Sequence, residues 1–138
     1  MSLTLRVLAP DKSVFDDTVE EVILPSTTGL LGILPGHISM VTAIDIGVLK
    51  VRSSNGDWDS IALMGGFAEV ESDDVTVLVN AAELSENIDS PSAEKEFEQA
   101  KTELSKLEGQ AKSAETLKAK EAFNRARARF QATSIKQK

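Results

Sequence analysis

The sequence predicts an α+β chain of two modules. An N-terminal antiparallel β-sandwich, or flattened barrel, takes residues 1–85, and a C-terminal antiparallel hairpin of two helices takes residues 86–138. Three observations lead there. Short β-branched and apolar runs, punctuated by turn residues, recur at roughly 8–12-residue spacing in the first part, the mark of a sandwich or barrel. Alanine, glutamate, lysine and leucine dominate the second part, whose apolar residues recur at helical steps. The charge also changes sign: residues 1–85 hold four basic and 13 acidic side chains, residues 86–138 hold 11 basic and nine acidic. Such a shift marks a boundary between modules.

Leu3, Leu5 and Val7 alternate with Ser2, Thr4 and Arg6, the period of a half-buried strand. Val19 to Leu24 is rich in β-branched residues and is expected to stop at Pro25. Ile46 to Arg52 and Trp58 to Met64 flank Asn55-Gly56, the strongest short hairpin signal, in which both turn positions take positive φ. Gly65-Gly66 is expected to break the next run. Phe67 to Glu71 and Val75 to Val79 then flank a turn at Ser72-Asp73-Asp74. In the second part Ser90 is expected to cap a helix that has Pro91 at its first position. Ala93, Phe97, Ala100, Leu104, Leu107 and Ala111 recur at steps of 4, 3, 4, 3 and 4, one apolar stripe. Gly109 weakens that helix, and Ser113 is placed to cap a second one. Ala119, Phe123, Ala126 and Phe130 repeat the stripe there. Two such helices on a short loop fold back as a hairpin.

Composition excludes several function classes. The 138 residues contain no cysteine, so there is no disulfide, thiol nucleophile or cysteine-ligated metal. His37 is the only histidine, which excludes a two-histidine metal site. The net charge of −7 repels nucleic acid and anionic lipid, and 4% aromatic content without tyrosine leaves no base-stacking platform. Met1 to Arg6 does not read as a signal peptide. The longest largely apolar run, Ile61 to Ala68, is far short of the roughly 20 residues of a membrane helix. The expectation is a soluble chain that meets a membrane only through a partner.

No catalytic site and no cofactor is expected. There is no Gly-x-Ser-x-Gly elbow, and His37, in Leu34-Pro35-Gly36-His37, reads as a structural hydrogen-bonding residue of a turn. The acidic pairs Asp16-Asp17, Glu20-Glu21 and Asp73-Asp74 point to opposite faces if they lie on strands, so spacing alone makes no two-carboxylate site. Gly29-Leu30-Leu31-Gly32 with Pro35-Gly36 reads as a shaped surface loop without the lysine of a phosphate loop. Its two leucines suit an apolar contact. In Arg125-Ala126-Arg127-Ala128-Arg129, the first and last arginines lie one helical turn apart on one face. They either fork a phosphate or carboxylates, or complement the helix macrodipole near its C-terminus. Charge divides along the hairpin as well: residues 86–108 hold seven acidic and three basic side chains, residues 109–138 two acidic and eight basic.

Four segments together resemble one family. They are Glu21-Val22-Ile23-Leu24-Pro25, Gly29 to His37 (Gly-Leu-Leu-Gly-Ile-Leu-Pro-Gly-His), Gly65-Gly66-Phe67-Ala68-Glu69-Val70, and Val75 to Glu83. In order and in two-module plan the chain resembles the epsilon subunit of rotary F-type ATP synthase. Ala43 to Arg52 and Ala62 to Phe67 are most similar to cyanobacterial and chloroplast members. The resemblance implies a non-catalytic subunit of the central stalk. It would bind the gamma subunit and the c subunits of the rotor ring, coupling their rotation to ATP synthesis. It implies a peripheral position on the cytoplasmic or stromal side of a membrane, the thylakoid in a phototroph. It also implies that the helices suppress ATP hydrolysis by extending to the alpha and beta subunits. Residues 91–133 as one extended helix would span about 65 Å. The ring contact then falls on Leu30 and Leu31, and the inhibitory basic face on Arg125, Arg127 and Arg129. Some relatives bind ATP through Ile-Asp-x-x-Arg-Ala and two arginines of the second helix. Ile88, Asp89, Ala93, Arg125 and Arg129 match that set, and Ser92 replaces its arginine. Losing one phosphate-facing cation costs about 1.5–3 kcal/mol, roughly tenfold to hundredfold in affinity. A small nucleotide-responsive binding module working through Ile88, Asp89, Arg125 and Arg129 is the alternative function.

Overall fold

The computed structural model describes residues 2–107 and 114–136. Its strands are β1 (Leu3–Ala9), β2 (Lys12–Ser26), β3 (Gly29–Ile33), β4 (Met40–Ser53), β5 (Trp58–Glu71), β6 (Asp74–Val79) and β7 (Ala82–Leu84). One 3-10 turn, Ser85–Asn87, leads to helices α1 (Ser90–Leu107) and α2 (Ala114–Lys136). Gly109, Ala111 and Ser113 lie outside the described residues.

The strands β1, β6, β5, β4 and β2 pair in that order, and β1 returns to pair with β2, so the sheet closes on itself. β3 adds to β2, and β7 to β5. The sequence predicts antiparallel pairing throughout. One pair departs from it: β1 runs parallel to β6, with Leu5 opposite Val75 and Val7 opposite Val77. The reason is parity, because a closed ring of five strands cannot alternate direction at every step. Leu3, Leu5 and Val7 are buried as their alternation predicts, together with Val75 and Val77. They share one interior with Leu24, Leu49, Ile61 and Leu63, to which neither helix contributes a residue.

Three expected interruptions take other forms. β2 runs through Pro25 to Ser26. The proline falls where the β2–β4 register shifts between Ile23 and Ser26, so no ladder donor is missed. β5 runs through Gly65 and Gly66 without a break. Before the glycines it pairs with β7, and after them with β6. Gly66 has φ +156°, and a Cβ there would stand 2.0 Å from the Leu78 carbonyl oxygen, so the tight crossing needs glycine. At Asn55-Gly56 only Gly56 has positive φ, +90°. The connection is a four-residue loop in which the Asn55 side chain accepts the Asp57 amide at 3.0 Å. The turn with two positive φ values is Ser72-Asp73, at +50° and +66°.

The cap of α1 is Asp89, not Ser90. Its carbonyl accepts the Ala93 amide at 2.9 Å, and its carboxylate accepts both the amide and the hydroxyl of Ser92. A carboxylate at this position also complements the helix dipole. The helices run antiparallel, with Ser90 near Thr133 and Glu96 near Arg129. Phe97 lies between Phe123 and Phe130, each ring centroid 5.5 Å away. α2 buries a further face that the apolar stripe does not include: Ala128 and Ala132, turned toward β4 and β5. Ala132 meets Val48, Ala62, Ile88 and Ala93, with Met64 and Phe130 at the margin.

Candidate partner-binding faces and the arginine seam

Strand alternation places the interior, but a row of apolar residues stands outside it. Phe67 is 61% exposed, and Leu78 opposite it on β6 is 54% exposed. Val41 on β4 is 68% exposed and lies opposite Glu69, two residues from Phe67. Leu8 of β1 continues the row beyond Leu78. An apolar row crossing four strands is the kind of surface that a partner covers. Sequence reasoning missed it, although Leu78 falls out of phase with Val75, Val77 and Val79.

The segment expected to be a glycine-rich loop is mostly strand: Gly29–Ile33 pairs with β2 from Ser26 to Val22. Its residues therefore alternate. Leu30 is 72% exposed, the second highest exposure among the large apolar side chains of the described residues. Leu31 turns inward, half-buried against the sandwich core. Of the two residues matched to a ring contact, the structure offers Leu30 outward. Leu34 and Ile38, exposed on the segment after β3, add apolar surface that the sequence reading did not single out. That segment is held in shape: the Gly36 amide donates to the Asp73 carboxylate at 2.7 Å, and the His37 amide to the Leu34 carbonyl at 3.1 Å. His37 Nδ1 lies 2.8 Å from the Ile38 carbonyl, which fits its structural reading.

The acidic pair Glu20-Glu21 does not point to opposite faces. The Arg52 guanidinium meets Glu20 at 3.1 Å and Glu21 at 3.2 Å. The β2–β4 register shifts between Val19 and Glu21, and the bulge brings both carboxylates to one cation. Among the described residues, no group of three or more histidines or carboxylates is placed to hold a metal.

The arginines of α2 differ in their surroundings. Arg125 pairs with Glu121 on its own helix at 3.8 Å. Arg127 lies over the Phe123 ring at 5.4 Å and donates to Asn124. Arg129 sits between modules: its Nε donates to Glu83 of β7 at 3.0 Å, and its Nη1 to Glu96 of α1 at 2.6 Å. Burial acts to lower the Arg129 pKa, but the hydrogen bond and charge of Glu83, then those of Glu96, outweigh it and the pKa is raised. A cation whose pKa rises on folding contributes stability below its ordinary pKa and loses it only at higher pH, so this pairing keeps its cation throughout the neutral range.

The five residues matched to an ATP site all have other partners in this structure. Ile88 and Ala93 are buried under α2, and the Asp89 carboxylate caps α1. Arg125 and Arg129 do share a groove, but Glu83, Glu96 and Glu103 line it with them. Glu83 and Glu96, which decide the groove's charge, were not foreseen. The acidic character of residues 86–108 was the available signal for Glu96.

The two modules thus present exposed apolar surface on the sandwich and a second helix tied by charge to both of its neighbours, features of the class of binding subunits. Residues 2–85 match the family described as ATP synthase, Delta/Epsilon chain, beta-sandwich domain, and residues 86–134 match its long alpha-helix domain. The chain belongs to this ATP synthase delta/epsilon family, whose epsilon subunit is a non-catalytic part of the complex. It is 85% identical over 133 residues to the ATP synthase epsilon chain of one Prochlorococcus marinus strain, covering 96% of this chain and 98% of that one. It is 67% identical to the epsilon chain of a Synechococcus strain, with the same coverage. A chain in the mitochondrial ATP synthase of Euglena gracilis shares the fold, with TM-score 0.78 at 22% identity over 99% of this chain and 82% of that one. A chain in the central stalk and c-ring of the Tetrahymena thermophila enzyme aligns with TM-score 0.59 at 14% identity, over 100% of this chain and 98% of that one.

Proposed function

We propose that this chain turns with the central stalk of a proton-translocating ATP synthase, couples rotor rotation to ATP synthesis, and restrains ATP hydrolysis through its helices. The observation that carries the reading is the division of the interior. The sandwich core is complete without α1 or α2, and the helices rest on it largely through the small side chains Ala128 and Ala132. A module attached in this way can leave while the other keeps its fold. In this reading the row Val41, Phe67 and Leu78 seats the gamma subunit, and Leu30 faces the c subunits of the rotor ring. The extended helices bring Arg125, Arg127 and Arg129 to the alpha and beta subunits. The membrane, the thylakoid in a phototroph, is met only through the complex, from its cytoplasmic or stromal side.

The test is hydrolysis by complexes rebuilt with the full chain or with residues 1–88. The truncated chain is expected to join the complex and support ATP synthesis, while ATP hydrolysis rises. Equal hydrolysis at equal incorporation overturns the inhibitory role of the helices. The nucleotide-responsive alternative has Arg125 and Arg129 in its favour, on one groove, but a phosphate would have to displace the carboxylates already there.

A further inference from the structure

We propose that Glu83 and Glu96 form a latch on Arg129, an internal pair of carboxylates that holds α2 down and must be displaced before the helix can leave. Where the freed cation goes rests on the proposed inhibitory function; the latch itself does not. Three elements meet at one guanidinium. Glu83 belongs to β7, so its bond ties α2 to the sandwich; Glu96 belongs to α1, so its bond ties the two helices together. The carboxylates take different nitrogens, Nε and Nη1, which a planar fork allows and an ammonium does not. The Arg129 side chain is 27% exposed, against 49% for Arg125.

Most surface ion pairs contribute little, because ordering two long side chains offsets the attraction. Here part of that ordering is already done. Arg129 stands between Ala128, buried beside the sandwich, and Phe130, stacked on Phe97. Arg125 and Arg129 face Glu83, Glu96 and Glu103 across the same groove, which is acidic by one charge. Departure of α2 removes both cations and leaves the sandwich with an unpaired Glu83. The latch therefore competes, in kind, with any acidic partner surface: such a surface gains Arg129 only by replacing two carboxylates with its own.

The test uses the isolated full chain and amide hydrogen exchange read by mass spectrometry at pH 7 and low salt. Arg129→Gln is expected to speed exchange in peptides from residues 114–133 about tenfold, roughly threefold for each of two partly exposed ion pairs. Glu83→Gln is expected to give about threefold, and the double variant no more than Arg129→Gln alone. Peptides of β2 and β5 should keep their wild-type rates, which shows that each variant has folded. Lys118→Gln, which removes the same charge from an exposed position of α2, should leave the rates unchanged. Arg129→Gln rates matching wild type or Lys118→Gln overturn the latch, as does full additivity in the double variant. No partner subunit is present in this experiment, so its failure and a failure of the hydrolysis experiment are separate results.

Discussion

Phe97→Ala isolates the contact that joins the helices. The ring lies 5.5 Å from both Phe123 and Phe130, tilted by 32° and 27°. Truncating a fully buried phenylalanine costs about 3–5 kcal/mol. Phe97 is half-buried, so the loss is about 2 kcal/mol, inclusive of two aromatic contacts of roughly 0.5–1.5 kcal/mol each. That is about a thirtyfold shift toward the opened hairpin, with the two helices apart. None of it falls on the sandwich, whose core takes nothing from the helices. Two optical probes separate the modules. Far-UV circular dichroism is dominated by α1 and α2. Fluorescence comes from Trp58, the only tryptophan, at the start of β5 beside the Arg52 guanidinium at 5.8 Å. On heating, the helical signal of the variant is expected to fall roughly 10 °C earlier than in the wild type. The Trp58 transition should stay where it was. If both probes shift together by the same amount, the modules melt as one unit and the division argued from the two interiors is wrong.

Leu30→Asp is expected to weaken assembly onto the membrane rotor while the isolated chain melts as before, since the side chain it replaces is 72% exposed; unchanged coupling and membrane assembly would remove Leu30 from the ring contact. Calorimetry at millimolar ATP should find weak binding or none, because Ser92 stands where the motif has arginine and Arg129 already holds two carboxylates. Ser92→Arg should strengthen whatever binding remains by about tenfold or more, whereas a low micromolar dissociation constant for the unaltered chain would show that the replacement does not matter.

What the sequence reveals here depends on the range of the physics involved. Alternation at Leu3, Leu5 and Val7 is a local pattern, and the strand and its buried face follow from it. The Asn55-Gly56 signal marks the β4–β5 connection but not its geometry, because Asn55 uses its side chain to accept the Asp57 amide instead of entering positive φ. The parallel β1–β6 pair follows from closure of the ring, which no single segment carries. Glu20 and Glu21 converge on Arg52 because of a bulge, and a bulge is set by the partner strand. For the site, Leu30 is legible as an apolar residue between glycines. The inward turn of Leu31 is not, because it depends on Gly29–Ile33 pairing with β2. Arg129 is legible as a cation on a helical face, and its partners are not: Glu83 lies 46 positions away and comes from the other module.

The helix packing explains why a partner can move α2 at all. A seam of alanines lets a helix lie close on the sheet, but each buried methyl contributes only about 0.8 kcal/mol. Ala128 and Ala132 together therefore add about 1.6 kcal/mol, no more than the low end for one fully buried leucine, and the larger apolar loss on undocking comes from Val48, Ile88 and the margin of Phe130. The helices keep their internal hydrogen bonds when they leave, so backbone pairing does not oppose the change. Converting a population from 1:99 to 99:1 takes about 5.5 kcal/mol of differential binding, within reach of one subunit interface. Had the buried face of α2 carried leucines at 128 and 132, a partner would have to supply several kcal/mol more. Small side chains meet the sheet, large rings meet between the helices, and one cation is held from both sides, so the helices' bulkiest mutual contact travels with them when they leave the sheet. That distribution favours release of α1 and α2 from the sandwich before either helix unfolds.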